Sequence, residues 1–151
     1  MSTKVGGPQG PVVSSRDELV AYLERGSKPA REWRIGTEHE KFCFYRRGFG
    51  PVPYDGERGI RALLETLDER FCGDAVTENG NIIAVHRQDC PKGGTISLEP
   101  GGQLELSGAP LENLHETYDE LRQHLAEVGE VGRELGIGFV AVYQILVRDR
   151  D

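Results

Sequence analysis

Two pairs of glutamates lie in short segments whose residue types are typical of β-strands. Glu38 and Glu40 are two positions apart in the segment 34–45, and because side chains alternate along a strand, both carboxylates project from one face. Adjacent carboxylates repel each other unless a positive charge lies between them, and Mg²⁺ prefers carboxylate oxygens while it keeps several waters. The pair therefore fits a Mg²⁺ site, although acidic residues on the open face of a strand are more often only solvated.

The second pair, Glu99 and Glu105, lies in the segment 95–107. This segment is predicted to form two strand pieces separated by a Pro-Gly-Gly turn that follows Glu99. Gln103, Glu105 and Ser107 share one parity, and the two leucines between them share the other. We therefore expect the leucines in the core and Glu105 facing outward or into a cleft. The two glycines permit backbone conformations that other residues resist, which could let a ligand approach the backbone closely.

Several further segments have the periodicity of helices and strands. Helices are predicted at 15–26, 60–71 and 110–135, and strands at 34–45, 76–87 (two, joined by an Asn-Gly turn), 95–107 (two) and 137–147. This order does not favour a doubly wound parallel sheet. It predicts an α+β fold with a largely antiparallel sheet and helices on one face.

Two elements carry more specific predictions. The apolar stripe of the third helix, at steps of three and four residues, is expected to pack in the core; its members are Leu111, Leu114, Tyr118, Leu121, Leu125, Val128 and Leu135. The strand 137–147 is continuously apolar and is expected to be buried on both faces.

The bulk composition narrows the class of protein. With 18 basic and 25 acidic residues the formal charge is −7, which disfavours nonspecific nucleic-acid binding but leaves a metal-bound nucleotide as a candidate substrate. No run approaches the length of a membrane span and no secretory signal is evident, so a cytoplasmic location is expected by default. The three cysteines form no CxxC pair and are expected to be reduced thiols.

The histidines are weaker candidates than the glutamates. His39 lies between the first two acids, but its parity directs it to the opposite face of the strand. His86, His115 and His124 are scattered along the chain, and a surface or capping role is expected for each.

Two long stretches carry a resemblance to a known family. RIGTEHEKF (34–42) and SLEPGGQLELSGAPLENLHET (97–117) together resemble glutamate–cysteine ligases of the type shared by plants and many proteobacteria. VTENGNIIAV and LGIGF also look like that family, and the resemblance covers roughly residues 14–142. It implies a glutamine-synthetase-like fold, here incomplete, in which an antiparallel sheet forms one wall of the active site.

The resemblance also implies an activity, which is ATP-dependent joining of the side-chain carboxylate of L-glutamate to the amine of L-cysteine through an acyl phosphate. This is the first step of glutathione synthesis. Glu38, Glu40, Glu99 and Glu105 match the family's acidic positions. Glu38 and Glu40, with Glu105 as a further candidate, would bind Mg²⁺. Glu99 or Glu105 could instead contact the amino group of glutamate, while Gln103 and Ser107 are possible substrate or cofactor contacts. The expected partners are glutamate, cysteine and ATP, with no nucleic acid or membrane.

The expected organisation is a flexible lead-in at 1–13, the amino-terminal part of a ligase catalytic domain at 14–144 and a divergent tail at 145–151. Because family chains are far longer, the chain is expected to be a fragment that is inactive alone. Two alternatives stay open. One is a γ-glutamyl ligase that uses another acceptor amine, and the other is a non-catalytic remnant with or without metal binding. The sequence predicts no oligomeric state.

Overall fold

The computed structural model describes residues 12–71, 73–87 and 93–141. These residues fall into two compact units, one ending at Arg34 and the other beginning at Ile35. The expected tail at 145–151 lies outside the described residues.

The first unit contains one α-helix, α1 (Arg16–Arg25), followed by a 3₁₀ turn at Ala30–Glu32. The predicted start of α1 is confirmed, because the Ser15 hydroxyl caps the helix by accepting from the Glu18 amide at 3.2 Å. The Glu18 carboxylate in turn accepts from the Ser14 amide at 2.7 Å, so the return bond of the capping box falls one residue earlier than expected. None of the α1 side chains is buried.

The second unit is an antiparallel sheet with two helices. Its strands are β1 (Glu38–Tyr45), β2 (Gly73–Glu78), β3 (Asn81–Arg87), β4 (Thr95–Leu98), β5 (Leu104–Ser107) and β6 (Ile137–Val140), and its helices are α2 (Ile60–Arg70) and α3 (Leu114–Leu135). The strand order is β2-β3-β4-β5-β1-β6, and every pairing is antiparallel. The predicted α+β class with a largely antiparallel sheet is confirmed.

The β2–β3 connection forms as its Asn-Gly dipeptide predicts. Asn79 and Gly80 both have positive φ angles, 51° and 78°, which the two central residues of a type I′ turn require. The pairing of β2 with β3 shifts between Val76 and Thr77, which leaves Ile83 as an extra residue. This shift allows Ile82 as well as Val85 to reach the buried core.

The core lies between the sheet and the two helices. In α2, Leu63, Leu64 and Leu67 recur at helical spacing and are all at most 1% exposed. They pack with Val85 and Ile96 of the sheet in one cluster, to which α3 adds Val128 and Val131. Burying each such side chain contributes about 1.5–3 kcal/mol, so this cluster is the main apolar contribution to stability.

The third helix begins four residues later than predicted. Pro110 precedes it, and the Asn113 side chain caps it by accepting from the His115 and Glu116 amides at 3.0 and 3.1 Å. Its end agrees with the prediction, since Gly136 adopts the left-handed conformation, with φ 72°.

The prediction that the apolar stripe packs in the core is confirmed for Leu111 and Val128, which are buried, but it is wrong for three other members. Leu114, Tyr118 and Leu125 are 72%, 60% and 43% exposed. They lie about 80–120° around the helix from His124, which is buried. A stripe at steps of three and four marks one face of a helix, but only packing decides which face meets the sheet.

The last strand also differs from its prediction. β6 stands at the end of the described strand order, and Val140 is 37% exposed. The expectation of burial on both faces is therefore wrong for this part of the strand, and the predicted continuation from residue 142 to 147 lies outside the described residues.

Candidate functional site

The register between β1 and β5 brings the predicted acidic residues together. Glu38 lies opposite Ser107, and Glu40 lies opposite Glu105. Residues directly opposite in an antiparallel pair have Cβ atoms about 4.5–5.5 Å apart and point to the same face. The four side chains therefore form one patch, here called the carboxylate face, which we define by Glu38, Glu40, Glu105 and Ser107.

Two polar residues named from the sequence contact carboxylates of this patch. The Gln103 side-chain amide donates to Glu40 Oε2 at 2.6 Å, and the Ser107 hydroxyl donates to Glu105 Oε1 at 2.5 Å. Each bond uses one carboxylate oxygen and fixes the orientation of its carboxylate group. Gln103, Glu105 and Ser107 therefore lie on one face of the sheet, as their alternation in the sequence predicts.

Glu99 joins the carboxylate face from the end of β4. Its amide donates to the Gln103 carbonyl at 2.9 Å across a turn whose glycines, Gly101 and Gly102, have positive φ angles. Burial raises the pKa of Glu99, and the neighbouring carboxylates of Glu105 and Glu40 raise it further. Negative charge is therefore concentrated at this point of the sheet.

Exposure differs sharply within the patch. Glu38 and Glu40 are exposed. The expectation that Glu105 faces outward or into a cleft is wrong, because Glu105 is only 3% exposed and lies opposite Ser97 of β4, which is also buried. A buried carboxylate costs free energy unless it is paired or hydrogen-bonded, which gives the Ser107 bond a clear role.

A cleft opens beside the carboxylate face where β1 begins and β5 ends. Its volume is about 250 Å³, and it is lined by Gly36, Thr37, Glu38, Ser107 and Gly108. Two of these residues belong to the carboxylate face. A small ligand in the cleft would therefore lie beside Glu38 and Ser107.

The donor set can be tested against a magnesium ion. In residues 12–71, 73–87 and 93–141, no three acidic, histidine or cysteine side chains converge as a complete metal-binding group. Mg²⁺ does not require such a group, because it is commonly held by one or two carboxylates together with waters and substrate phosphates. One or two of the carboxylates of Glu38, Glu40 and Glu105 fit that mode of binding, although the three do not converge on a single ion in the described residues.

The opposite face of the same strands carries a buried polar layer, which we define by His39, Lys41, Arg87, His124 and Glu127. His39 lies on this helical side of β1, as its parity predicted. The Lys41 ammonium lies 3.0 Å from His39 Nδ1 and donates to the His39 carbonyl at 2.9 Å. Lys41 is 1% exposed, and burial lowers its pKa to about 8 against the opposing effects of Cys43 and Glu105.

The other three residues of this layer were not predicted from the sequence. Arg87 and Glu127 form a buried ion pair at 2.8 Å, and Gln123 also donates to Glu127 at 2.9 Å. His124, expected at the surface, is 0% exposed, and within the described part of the chain neither of its ring nitrogens has a hydrogen-bond partner. Burial first, then Lys41 and Arg87, lowers the pKa of His124 to about 2. The signal was available, since positions 124, 127, 128 and 131 lie on one helical face.

Among the cysteines, Cys43 is a free thiol. Burial raises its pKa to about 12, so it is protonated and unreactive at neutral pH. Cys72 and Cys90 lie outside the described residues. None of the helices in the described part of the chain is both long enough and apolar enough to span a membrane.

Comparisons with known proteins agree with the motifs. The model of glutamate–cysteine ligase family 2 matches residues 34–142. The chain is 49% identical over 128 residues to glutamate–cysteine ligase A of rice (Oryza sativa subsp. japonica), and 46% identical over 128 residues to the ligase of Arabidopsis thaliana. The tobacco ligase (Nicotiana tabacum) is 48% identical over 126 residues.

Coverage is unequal in these alignments. They include 83–85% of this chain but only 23–25% of each relative, so the chain spans about a quarter of their length. The expected cytoplasmic location is contradicted by the same comparison, because all three relatives are named as chloroplastic enzymes.

Proposed function

Because the chain belongs to glutamate–cysteine ligase family 2, we propose that it provides the sheet wall of an active site that joins glutamate to cysteine with ATP. The single observation that carries this proposal is the β1–β5 register, which sets Glu40 opposite Glu105 and Glu38 opposite Ser107 beside an open cleft. A purely solvated strand face would not need a buried glutamate with its own hydroxyl donor.

The proposed reaction has two steps. An oxygen of the glutamate side-chain carboxylate attacks the γ-phosphorus of ATP, and the bond to the bridging oxygen breaks to release ADP and leave an acyl phosphate. The amine nitrogen of cysteine then attacks the acyl carbon and expels phosphate, and the amine loses a proton as the amide forms. Both steps gather negative charge on phosphate oxygens.

The carboxylate face would hold the cation that offsets this charge. Glu38, Glu40 and Glu105 are the proposed Mg²⁺ ligands, one or two of them to each ion, and a bound Mg²⁺ would supply Lewis-acid stabilisation of the phosphoryl group. Gln103 and Ser107 orient the carboxylates of Glu40 and Glu105 through the bonds described above. Such supporting bonds commonly change metal affinity or activity 10- to 100-fold.

Glu99 has a separate proposed role. It lies at the edge of the patch, next to the Glu105 carboxylate and near the Gly101–Gly102 turn. From there it would serve as a further metal ligand or accept a hydrogen bond from the amino group of glutamate. Both roles use the negative charge of Glu99. If Glu99 and the other glutamates bind the same cation, Glu99→Gln should weaken the binding of both glutamate and the metal.

A chimeric enzyme tests the proposal. The 128-residue matching segment of rice ligase A would be replaced by that of this chain, and ADP release would be measured with Mg²⁺, glutamate and cysteine. Glu40→Gln and Glu105→Gln should each reduce kcat/KM at least about 100-fold, because each removes a ligand charge. Glu65→Gln, an exposed glutamate on α2, is the matched control and should have no effect.

Each alternative has its own outcome in this assay. An active chimera that prefers another amine to cysteine would identify a γ-glutamyl ligase of different acceptor specificity. Wild-type activity retained by both site variants would refute the role of the carboxylate face. Mn²⁺ binding by the isolated chain, without turnover by the chimera, would favour a non-catalytic metal-binding role.

A further inference from the structure

We propose that Glu120 of α3 is a positioning residue that fixes the end of β5 and thereby orients Ser107 and Glu105 on the carboxylate face. Its effect on metal binding rests on the function proposed above, but its effect on the position of β5 does not. Glu120 lies outside both family motifs, 34–42 and 97–117, and neither strand parity nor helix periodicity assigns it to the site.

The backbone that follows β5 is held from two sides. The Gly108 amide donates to the Thr37 carbonyl at 2.7 Å, which ties this segment to the residues before β1. The next amide, that of Ala109, donates to Glu120 Oε1 at 2.8 Å. A carboxylate acceptor makes this a charge-assisted bond, which is about twice as strong as a neutral one. Successive amides are thus fixed by β1 and by α3.

The Glu120 carboxylate also packs directly on glycine backbone. A Cβ atom at Gly108 would collide with Glu120 Oε2 and lie 3.0 Å from the Thr37 carbonyl oxygen. A Cβ atom at Gly94 would lie 3.4 Å from Glu120 Oε1 and 3.2 Å from the Ser107 carbonyl oxygen. Glycine at these two positions leaves the space that the carboxylate occupies.

The buried carboxylate of Glu120 lowers the stability of the fold. Glu120 Oε2 is buried and has no hydrogen-bond partner among the residues that the structure describes. A buried, unsatisfied carboxylate oxygen opposes folding, whereas an apolar side chain could fill the same space without that cost. The carboxylate is therefore better explained by the bond that it accepts from Ala109 than by packing.

The segment that Glu120 holds belongs to the site. Ser107 and Gly108 line the cleft, and the Ser107 hydroxyl donates to Glu105 at 2.5 Å. Because a hydrogen bond of this length fails after a displacement of about 1 Å, a loosened Ala109 amide would change the orientation of the Glu105 carboxylate.

The test compares variants of the full 151-residue chain by amide NMR and by Mn²⁺ titration, with Mn²⁺ standing in for Mg²⁺. Glu120→Ala should shift the amide signals of Glu105, Ser107 and Ala109 and weaken Mn²⁺ binding about tenfold. Glu120→Gln keeps an acceptor oxygen and should restore both. Asp119→Ala, at the exposed neighbouring position, is the matched control and should change neither.

A second variant protects the test against misfolding. If Glu120→Ala fails to fold, Glu120→Asp takes its place. It keeps the charge but is one methylene too short to reach the Ala109 amide, so the same amide shifts and the same weakening of Mn²⁺ binding are expected. Glu105 and Ser107 signals that match those of Asp119→Ala in both variants would overturn the inference. If the wild-type chain binds no Mn²⁺, the proposed metal site fails, while the amide signals still decide the positioning role.

Discussion

The helical side of the sheet is covered in two different ways. Beneath α2 it is apolar, with Leu63, Leu64 and Leu67 packed on strand residues. Beneath the middle of α3 it is the buried polar layer, in which His124 and Glu127 face the sheet. The two regions share one sheet and nearly complete burial, but they bury opposite kinds of side chain.

The difference follows the position of the candidate site. The polar layer lies behind β1 and includes Lys41, which follows Glu40 directly in the chain and whose charge interacts with that of Glu105. Buried charges contribute little net stability compared with well-packed apolar groups. We therefore infer that the apolar region stabilises the fold, whereas the polar layer sets the charge environment of the carboxylate face.

Breaking the buried ion pair should have the largest effect. Glu127→Ala leaves the Arg87 guanidinium buried without its 2.8 Å partner and should lower the free energy of unfolding by about 3–5 kcal/mol in urea titrations. Arg87→Met combined with Glu127→Leu should recover most of this loss. Glu134 lies on α3, as Glu127 does, but forms an exposed ion pair with Arg70 of α2. Glu134→Ala should therefore change the free energy of unfolding little. A double variant no more stable than Glu127→Ala would contradict the assignment of the layer to electrostatics.

The apolar region should respond next most strongly. Leu64→Ala removes a side chain that is 0% exposed and should cost about 2–5 kcal/mol, because a cavity remains in a packed cluster. Leu114→Ala is the same chemical change at a 72% exposed position on α3 and should stay within about 0.5 kcal/mol. Equal losses in the two variants would mean that the exposed stripe of α3 packs against something in solution.

The most gradual effect should be a dependence on pH. The pKa of His124 is about 2 in the folded chain, below the value of about 6.5 for an unfolded histidine. The unfolded chain therefore binds the proton first, so stability is complete above pH 6.5 and falls as the pH drops towards 2. The contribution is at most about 1.4 kcal/mol per pH unit.

Urea titrations between pH 7 and pH 4 measure this effect. His124→Gln should flatten the slope, and His115→Gln, at an exposed position of the same helix, should leave it unchanged. His39 and Lys41 of β1, Arg87 of β3 and Glu127 of α3 also face this region, so the informative quantity is the difference between variants. An unchanged slope in His124→Gln would show that the histidine is protonated or exposed in the folded chain.

The sequence by itself determined which side chains share a face. Alternation along a strand placed Glu38 with Glu40 and Glu105 with Ser107, the Asn-Gly dipeptide specified the β2–β3 turn, and Gly136 marked the end of α3. These features depend on backbone geometry over a few residues, so local residue types are sufficient to specify them. The motifs also identified the family before any contact was known.

The tertiary structure alone decided what lies next to what. The pairing of Glu40 with Glu105 joins segments about 65 residues apart, and the contact of Glu120 with Ala109 and Gly108 depends on how α3 crosses the end of β5. The same holds for His124, because periodicity defines the faces of a helix but not which face is buried. Register and helix rotation are set by side-chain packing between distant segments, which no local pattern contains.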